Sequence, residues 1–195
     1  MNGIILRSYL LSGLLFLAME GRPGNHSDSL IQVLTEAIEN KDVSVRLRLD
    51  RIEKLKAKLR SLNGNSQDRY FELHNALYHE YKTFIYDSAF AYAQKLIETS
   101  HRLGDKSKIG YSRVKLGFIL ISSGMFKETF DSLTAAPVSY MADTTRVEYY
   151  SIMARAYYDL GTYSNDRYYQ STYAALANLY MDSAKHLSKP DSYDY

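Results

Sequence analysis

Histidine is the side chain of this sequence with the widest chemical use, because imidazole binds metal ions and transfers protons near neutral pH. Five histidines occur, and one predicted helix holds two of them, His74 and His79. At 3.6 residues per turn, a spacing of five residues turns the two rings roughly 140° away from each other. The chain has no cysteine and no HExxH motif, two common signs of a metal site. We therefore expect no metal ion and no cofactor.

The sequence patterns that mark catalysis are also missing. There is no GxSxG elbow for a serine nucleophile and no glycine-rich loop for phosphate groups. Carboxylates are plentiful, but two of them become a catalytic pair only through a geometry that spacing does not supply. The absence of cysteine excludes disulfides and thiolate catalysis. We expect a non-catalytic protein.

The charge balance favours no particular polyanionic partner. The formal net charge is +2, which indicates neither a nucleic-acid platform nor an acidic tail. Between residues 41 and 60, however, basic side chains outnumber acidic ones. This run either contacts a membrane surface or nucleic acid, or is the solvated face of a long helix. We prefer the solvated face and expect no nucleic-acid partner.

Tyrosine is the residue type best suited to a binding role here. The chain has nineteen tyrosines and no tryptophan. Each tyrosine ring offers a large apolar face and a hydroxyl group, a combination that suits sugars or extended peptides. Tyrosines also fill contacts between helices, and we expect this packing role for Tyr149, Tyr150 and Tyr157. Whether a given tyrosine binds a ligand or packs between helices depends on the secondary-structure elements that position it.

A repeated spacing in the middle of the chain predicts those elements. Gly117 is followed seven residues later by Gly124, and Ala154 is followed seven residues later by Gly161; an aromatic residue comes two positions after each later glycine. The two later glycines are 37 residues apart, close to the roughly 34-residue period of tetratricopeptide repeats (TPRs). TPRs are stacked helical hairpins, so the spacing predicts a helical repeat.

Each position of this repeated motif has a physical reason. Two helices of a hairpin approach closely where one presents a small side chain, as at Gly117 and Ala154. The later glycines suit a helix end, where a left-handed conformation favours glycine. A poorer copy upstream has Leu77 at the small position and Phe84 in place of the later glycine, with Ala89 as the contact of its second helix.

The helical pattern extends over most of the sequence. No stretch alternates apolar and polar residues with a period of two, so we expect no sheet. The fold class is therefore all-α, a TPR-like helical hairpin solenoid preceded by a long helix. The predicted repeat helices are 67–83, 87–103, 106–123, 126–135, 144–160 and 168–187.

The chain divides into three predicted segments. Residues 1–21 contain a short apolar run and are a signal peptide or membrane anchor. Residues 27–63 form the long charged helix, with apolar residues near a 3.5-residue period and a polar break at Lys41. Residues 66–188 form the repeat domain. Its last helix lacks a polar capping element, so we expect the chain to be the front part of a longer protein.

Five phrases carry a resemblance to a known family. They are residues 81–89 (YKTFIYDSA), 115–118 (KLGF), 122–128 (SSGMFKE), 148–150 (EYY) and 154–160 (ARAYYDL). In this order, after an export signal and a charged helix, they resemble the exported N-terminal TPR region of Bacteroidetes membrane-bound sensor-regulators, which are starch-utilisation-regulator-like. The resemblance implies a sensor on the periplasmic side of the inner membrane, tethered by a later membrane helix, with a cytoplasmic output segment.

The first helix of each hairpin is expected to line a concave groove. We identify the positions that face the groove by counting residues along each helix from Leu77, Gly117 and Ala154. Three of these inward positions, Val114, Ile121 and Ser151, are not candidate ligand-binding residues. The candidate ligand-binding residues are Phe71, His74, Tyr78, Tyr81, Tyr111, Phe118, Glu148, Arg155 and Tyr158. We expect Arg155 to face an open, wet groove with Tyr111, Phe118 and Tyr158 around it.

Two functions remain open at this point. The first is a binding or sensor module that takes a small ligand, carbohydrate or peptide, or a protein partner in the groove. The second is a structural module whose long helix forms a homodimer while the repeats support it. Self-association carried by the helix would distinguish the second from the first.

Overall fold

The computed structural model describes residues 25–63 and 66–188. Within these ranges the chain is helical and contains no β-strand, which confirms the all-α prediction. The predicted signal peptide or anchor, residues 1–21, lies outside the described residues. The α-helices are α1 (Asn25–Glu39), α2 (Lys41–Arg60), α3 (Gln67–Tyr81), α4 (Tyr86–Leu103), α5 (Lys106–Ser122), α6 (Phe126–Thr134), α7 (Asp143–Ser164) and α8 (Arg167–Leu187).

The chain divides into two compact units at residue 48, inside α2. In the first unit, α1 and α2 are separated only by Asn40. Backbone hydrogen bonds continue across it, from Asn40 N to Glu36 O at 3.0 Å and from Ser44 N to Asn40 O at 3.1 Å. The Asn40 side chain also donates to Glu36 O at 2.8 Å. Asparagine side chains compete with the backbone in this way, so the break in the predicted long helix falls at Asn40.

The second unit is built from three helical hairpins. They pair α3 with α4, α5 with α6, and α7 with α8, while α4 packs on α5 and α6 packs on α7. The C-terminal half of α2 covers the first hairpin, where Ile52 is buried in the same cluster as Leu77 and Ala89. Leu55 and Leu59 pack against that cluster, because the apolar period of α2 repeats on one face.

Helix α5 belongs to both hydrophobic clusters of this unit. Leu116 and Leu120 belong to the cluster of the first hairpin. Val114 and Ile121 belong to the cluster formed with the later helices, and Phe118 packs against both clusters. A helix that is apolar on all sides is expected to be central, and α5 has this character.

The close contact predicted at Gly117 is present. A Cβ atom added there would lie 2.8 Å from Leu133 Cδ2 of α6, so any side chain at this position would force Leu133 to shift. A second tight glycine was not predicted: a Cβ at Gly110 would lie 2.8 Å from Cγ of Met141. Met141 follows a short 3-10 turn (Val138–Tyr140) that packs on α5.

The helix ends confirm one predicted stop and correct another. Gly124 follows α5 with φ of +71°, the left-handed conformation that favours glycine. Gly161, the matching position, is wrong as a stop: it lies inside α7, buried, where a Cβ would be 3.4 Å from Tyr173. Helix α7 ends instead at Ser164 and is followed by Asn165, with φ of +46°, and Asp166 then caps α8 by accepting from Tyr168 N at 2.8 Å.

Candidate functional site

A groove of about 450 Å³ lies between the end of α3, α5 and α7. It combines basic, hydroxyl and apolar side chains. The residues that line it are Lys82, Lys115, Phe118, Thr144, Val147, Glu148, Ser151, Ile152 and Arg155. Three of the nine candidate ligand residues, Phe118, Glu148 and Arg155, therefore meet here, together with the inward position Ser151.

A buried ion pair forms the base of this groove. Lys115 Nζ lies 2.5 Å from Glu148 Oε2, and the Lys115 side chain is only 8% exposed. The ammonium group also lies 4.5 Å from the centre of the Tyr111 ring, within the range of a cation–π contact. The Tyr78 hydroxyl donates to the Lys115 carbonyl at 3.1 Å. These contacts fix the base of the groove with residues from α3, α5 and α7.

Lys115 was missed by reasoning from the sequence. It stands in the run Val114 to Ile121, where every other residue is apolar or glycine. A lysine within a helix that is otherwise apolar on all sides needs a buried partner. That signal was available, although the partner, Glu148 on α7, is 33 residues away.

Two further cations stand at the edge of the groove. Lys82 Nζ lies 5.7 Å from the centre of the Phe118 ring, and Lys82 makes no ion pair within the described residues. Arg155 donates through Nε to Asp159 Oδ2 at 3.1 Å, on its own helix. Both basic side chains are exposed, so both can reach a ligand in the groove.

Other candidate residues lie elsewhere. Phe71, Tyr78 and Tyr81 are buried in the cluster beneath α2 and α4, where Tyr81 stacks on Tyr92 at 5.7 Å. They contact protein on all sides, because α2 covers the first hairpin. The inward positions Val114 and Ile121 are likewise in the core.

Tyr111 flanks the groove without lining it, and Tyr158 does not line it. Tyr111 is half-buried and donates to Asn75 Oδ1 at 2.8 Å, and it accepts from His79 Nε2 at 3.2 Å. Because its hydroxyl proton is used towards Asn75, His79 carries its proton on Nε2 in this arrangement. Tyr158 is 51% exposed on the surface of α7. Of the three aromatics expected around Arg155, the groove holds Phe118.

His74 and His79 face different helices. His74 Nδ1 lies 3.2 Å from Thr99 Oγ1 of α4, whereas His79 contacts Tyr111 of α5. Burial, with smaller effects from Lys95 and Arg102, lowers the pKa of His74 to about 4. Burial also lowers the pKa of His79. Among residues 25–63 and 66–188, no group of three or more acidic or histidine side chains could hold a metal ion.

The low pKa of His74 predicts a loss of stability in mild acid. In the unfolded chain this histidine takes up a proton near its ordinary pKa of 6.5, and in the folded protein near pH 4. Stability therefore falls as the pH drops between these two values. Since His74 is partly open to solvent, we discount the effect to about 1 kcal/mol. Urea unfolding at pH 7 and pH 4 measures it.

Two variants isolate the contribution of His74 from that of the carboxylates. His74→Gln keeps a hydrogen-bonding side chain at Thr99 and is expected to show a smaller loss between the two pH values than the wild type. His186→Gln, at an exposed position of α8, is expected to behave as the wild type. If the wild type and His74→Gln lose the same stability between pH 7 and pH 4, His74 is not the cause of the loss.

None of the described helices is both long enough and apolar enough to cross a membrane. A search of curated proteins and a search of solved structures each found no match. A family model described as the SusR N-terminal TPR domain matches residues 38–195. The match covers most of the chain and agrees with the resemblance found in the sequence. The chain therefore belongs to the SusR N-terminal TPR domain family.

Proposed function

We propose that this chain is the non-catalytic binding module of a signalling or transcription-regulating protein, and that it takes its ligand in the groove between α5 and α7. The observation that carries the proposal is the composition of that groove. Charged groups of Lys82 and Arg155 stand at its edge, while Phe118 supplies an apolar wall. The buried pair of Lys115 and Glu148 holds the base in one geometry, and such preorganisation lowers the cost of binding.

The lining indicates the chemistry of the ligand. Lys115 and Glu148 neutralise each other, and the remaining charged side chains of the lining, Lys82 and Arg155, are both basic. This positive balance favours a ligand with a carboxylate. The hydroxyls of Thr144 and Ser151 can exchange hydrogen bonds with hydroxyl groups. A hydroxylated or carboxylated ligand with an apolar face fits this lining, as an acidic sugar or an extended peptide would.

Family membership supports the non-catalytic, regulatory part of the proposal. TPR domains generally mediate interactions, and the family model is that of a regulator's N-terminal domain. The apolar run near the N-terminus of the sequence supports export. On these grounds we place the module on the periplasmic side of the inner membrane.

Thermal-shift measurements test the groove. The chain is screened against neutral oligosaccharides, uronic-acid oligosaccharides and short peptides, because a ligand that binds only the native state raises the Tm. We expect a compound with a carboxylate to raise the Tm of the wild type. Arg155→Ala is expected to keep the wild-type Tm without ligand and to lose most of the shift.

A matched control exists on α4. Arg102 is exposed and faces Glu98 four residues before it at 4.0 Å, just as Arg155 pairs with Asp159 four residues after it. Arg102→Ala is therefore expected to keep the full ligand-induced shift. If Arg155→Ala keeps that shift too, the ligand binds outside the groove and the proposed site is wrong.

A further inference from the structure

A second cavity lies on the side of α5 that faces away from the groove. It has a volume of about 290 Å³ and is bounded by α4, α5 and α6. Arg113, Leu116 and Leu120 supply its lining on α5, with spacings of three and four residues that keep them on one side of the helix. Lys115 and Phe118 of the groove come two residues after Arg113 and Leu116, which turns them about 200° around the helix. The two cavities have no lining residue in common.

One end of this cavity is apolar. Phe90 of α4, Leu120 of α5 and Met125, which directly precedes α6, line it. Met125 N donates to the Leu120 carbonyl at 3.0 Å. The Tyr86 hydroxyl donates to Met125 Sδ at 3.4 Å, and the Tyr86 ring stacks on Phe90 with the ring centroids 6.2 Å apart. These contacts hold the three apolar lining residues together.

The other end carries polar and charged side chains. Ser132 Oγ donates to the Arg113 carbonyl at 3.1 Å, so the last turn of α6 lies beside the middle of α5. Asp131 lines the cavity next to Ser132, and Gln94 lines it from α4. Arg113 precedes Leu120 by seven residues, which is roughly 10 Å along the helix axis. The cavity therefore has an apolar end and a polar end.

Two opposite charges that line this cavity have no protein partner. Arg113 makes no ion pair among the described residues, and its Nε is buried without a hydrogen-bond partner. Glu128 of α6 also lines the cavity and makes no ion pair or side-chain hydrogen bond in the described ranges. Asp131 differs, because Lys127 Nζ lies 2.6 Å from its Oδ2. Since buried donors are normally satisfied, an acceptor on a ligand would complete this end of the cavity.

We propose that this cavity binds a free apolar α-amino acid. The carboxylate of the ligand pairs with Arg113, whose guanidinium can donate two hydrogen bonds to it. The ammonium group pairs with Glu128, and the side chain packs against Phe90, Leu120 and Met125. A zwitterion satisfies both unpaired charges, whereas an anion alone would face Glu128 and a cation alone would face Arg113. This site is additional to the ligand groove and does not depend on it.

The size of the cavity also favours a single amino acid. Small-molecule sites usually measure about 300–1,000 Å³, so a volume of about 290 Å³ lies at the lower limit. A neutral oligosaccharide would supply no charge for Arg113 or Glu128, and an internal stretch of a peptide would lack both terminal charges. A single apolar amino acid carries both charges on adjacent groups together with one apolar side chain, which matches the lining.

Isothermal titration calorimetry of the full chain with L-leucine and three analogues tests the proposal. L-leucine is expected to bind. N-acetyl-L-leucine lacks the ammonium charge and L-leucinamide lacks the carboxylate, and each is expected to bind about tenfold more weakly or worse, because hydrogen bonds to charged groups contribute at least that factor. Glycine, which has no side chain for the apolar end, is expected to lose a similar factor. No binding of leucine, or equal binding of leucine and leucinamide, would overturn the proposal.

Two substitutions assign the charged groups. Glu128→Gln is expected to weaken leucine binding and to narrow its advantage over N-acetyl-L-leucine, because the ammonium group loses its partner. Arg113→Met is expected to narrow the advantage over L-leucinamide instead. Glu72→Gln, at an α3 carboxylate that is 61% exposed, is the matched control and is expected to leave leucine binding unchanged. Variants that keep the wild-type preferences would exclude this second site, and so would leucine binding that Arg155→Ala abolishes and Glu128→Gln spares, since the amino acid would then lie in the groove.

Discussion

Gly117→Leu is expected to cause a large loss of stability in the repeat domain. Even a Cβ atom at this position would lie 2.8 Å from Leu133 Cδ2 and 3.0 Å from Leu133 Cγ. Helix α5 packs on neighbours on several sides, so it cannot move away from α6 without opening another contact. Overpacking of a core costs about 1–3 kcal/mol, occasionally more, and we expect the upper end. The urea midpoint measures it.

Two further variants check the cause of this loss. Ser122→Leu places the same side chain at an exposed position five residues later on α5 and is expected to be mild. Leu133→Ala introduced into the Gly117→Leu protein frees volume on the opposing helix and is expected to recover part of the midpoint. If Ser122→Leu proves the worse single change, the assigned repeat register is incorrect.

Glu148→Gln is expected to produce the second large effect, at the base of the groove. It leaves the ammonium group of Lys115, whose side chain is 8% exposed, without its anionic partner. Removing one member of a buried ion pair costs about 3–5 kcal/mol. Since the Glu148 side chain is 33% exposed, solvent can partly replace it, and we expect about 3 kcal/mol by urea unfolding.

Removing the lysine of the pair is expected to destabilise the protein less than removing the carboxylate. Lys115→Met removes the buried charge and keeps an apolar chain of similar length, while Glu148 can turn towards the solvent in the groove. Adding Glu148→Gln to Lys115→Met is then expected to cost little, so that the double variant is more stable than Glu148→Gln alone. Strictly additive losses would show that the two side chains do not stabilise the fold as a pair.

Helix positions could be predicted from the sequence because their signals are local. Gly124 stops α5 with the left-handed conformation that its type favours. Gly161 has the same spacing, yet α7 continues to Ser164. The reason lies in the following residues, since Asn165 adopts the left-handed conformation and Asp166 caps α8. The stronger stop signal lay four residues beyond the one selected by the repeat spacing.

The candidate site was harder to predict because it depends on which surfaces are covered. Tyr78 and Tyr81 occupy inward positions of their hairpin, but α2 packs over that hairpin and puts both rings in the core. Phe118, Glu148 and Arg155 belong to the two later hairpins and line the groove. A position count identifies the side of a helix that faces inward, whereas long-range packing decides whether a ligand can reach it.

The position of α5 in both hydrophobic clusters has a consequence for how the protein responds to binding. In most helical repeat proteins each unit contacts only its neighbours, and one end can loosen while the other holds. Here α5, in the middle hairpin, supplies Leu116 to one cluster and Val114 to the other, so it links the packing of the first hairpin to that of the third. Because Lys115 and Phe118 of the groove stand on the same helix, tightening of α5 by a ligand would reach the first hairpin as well as the last.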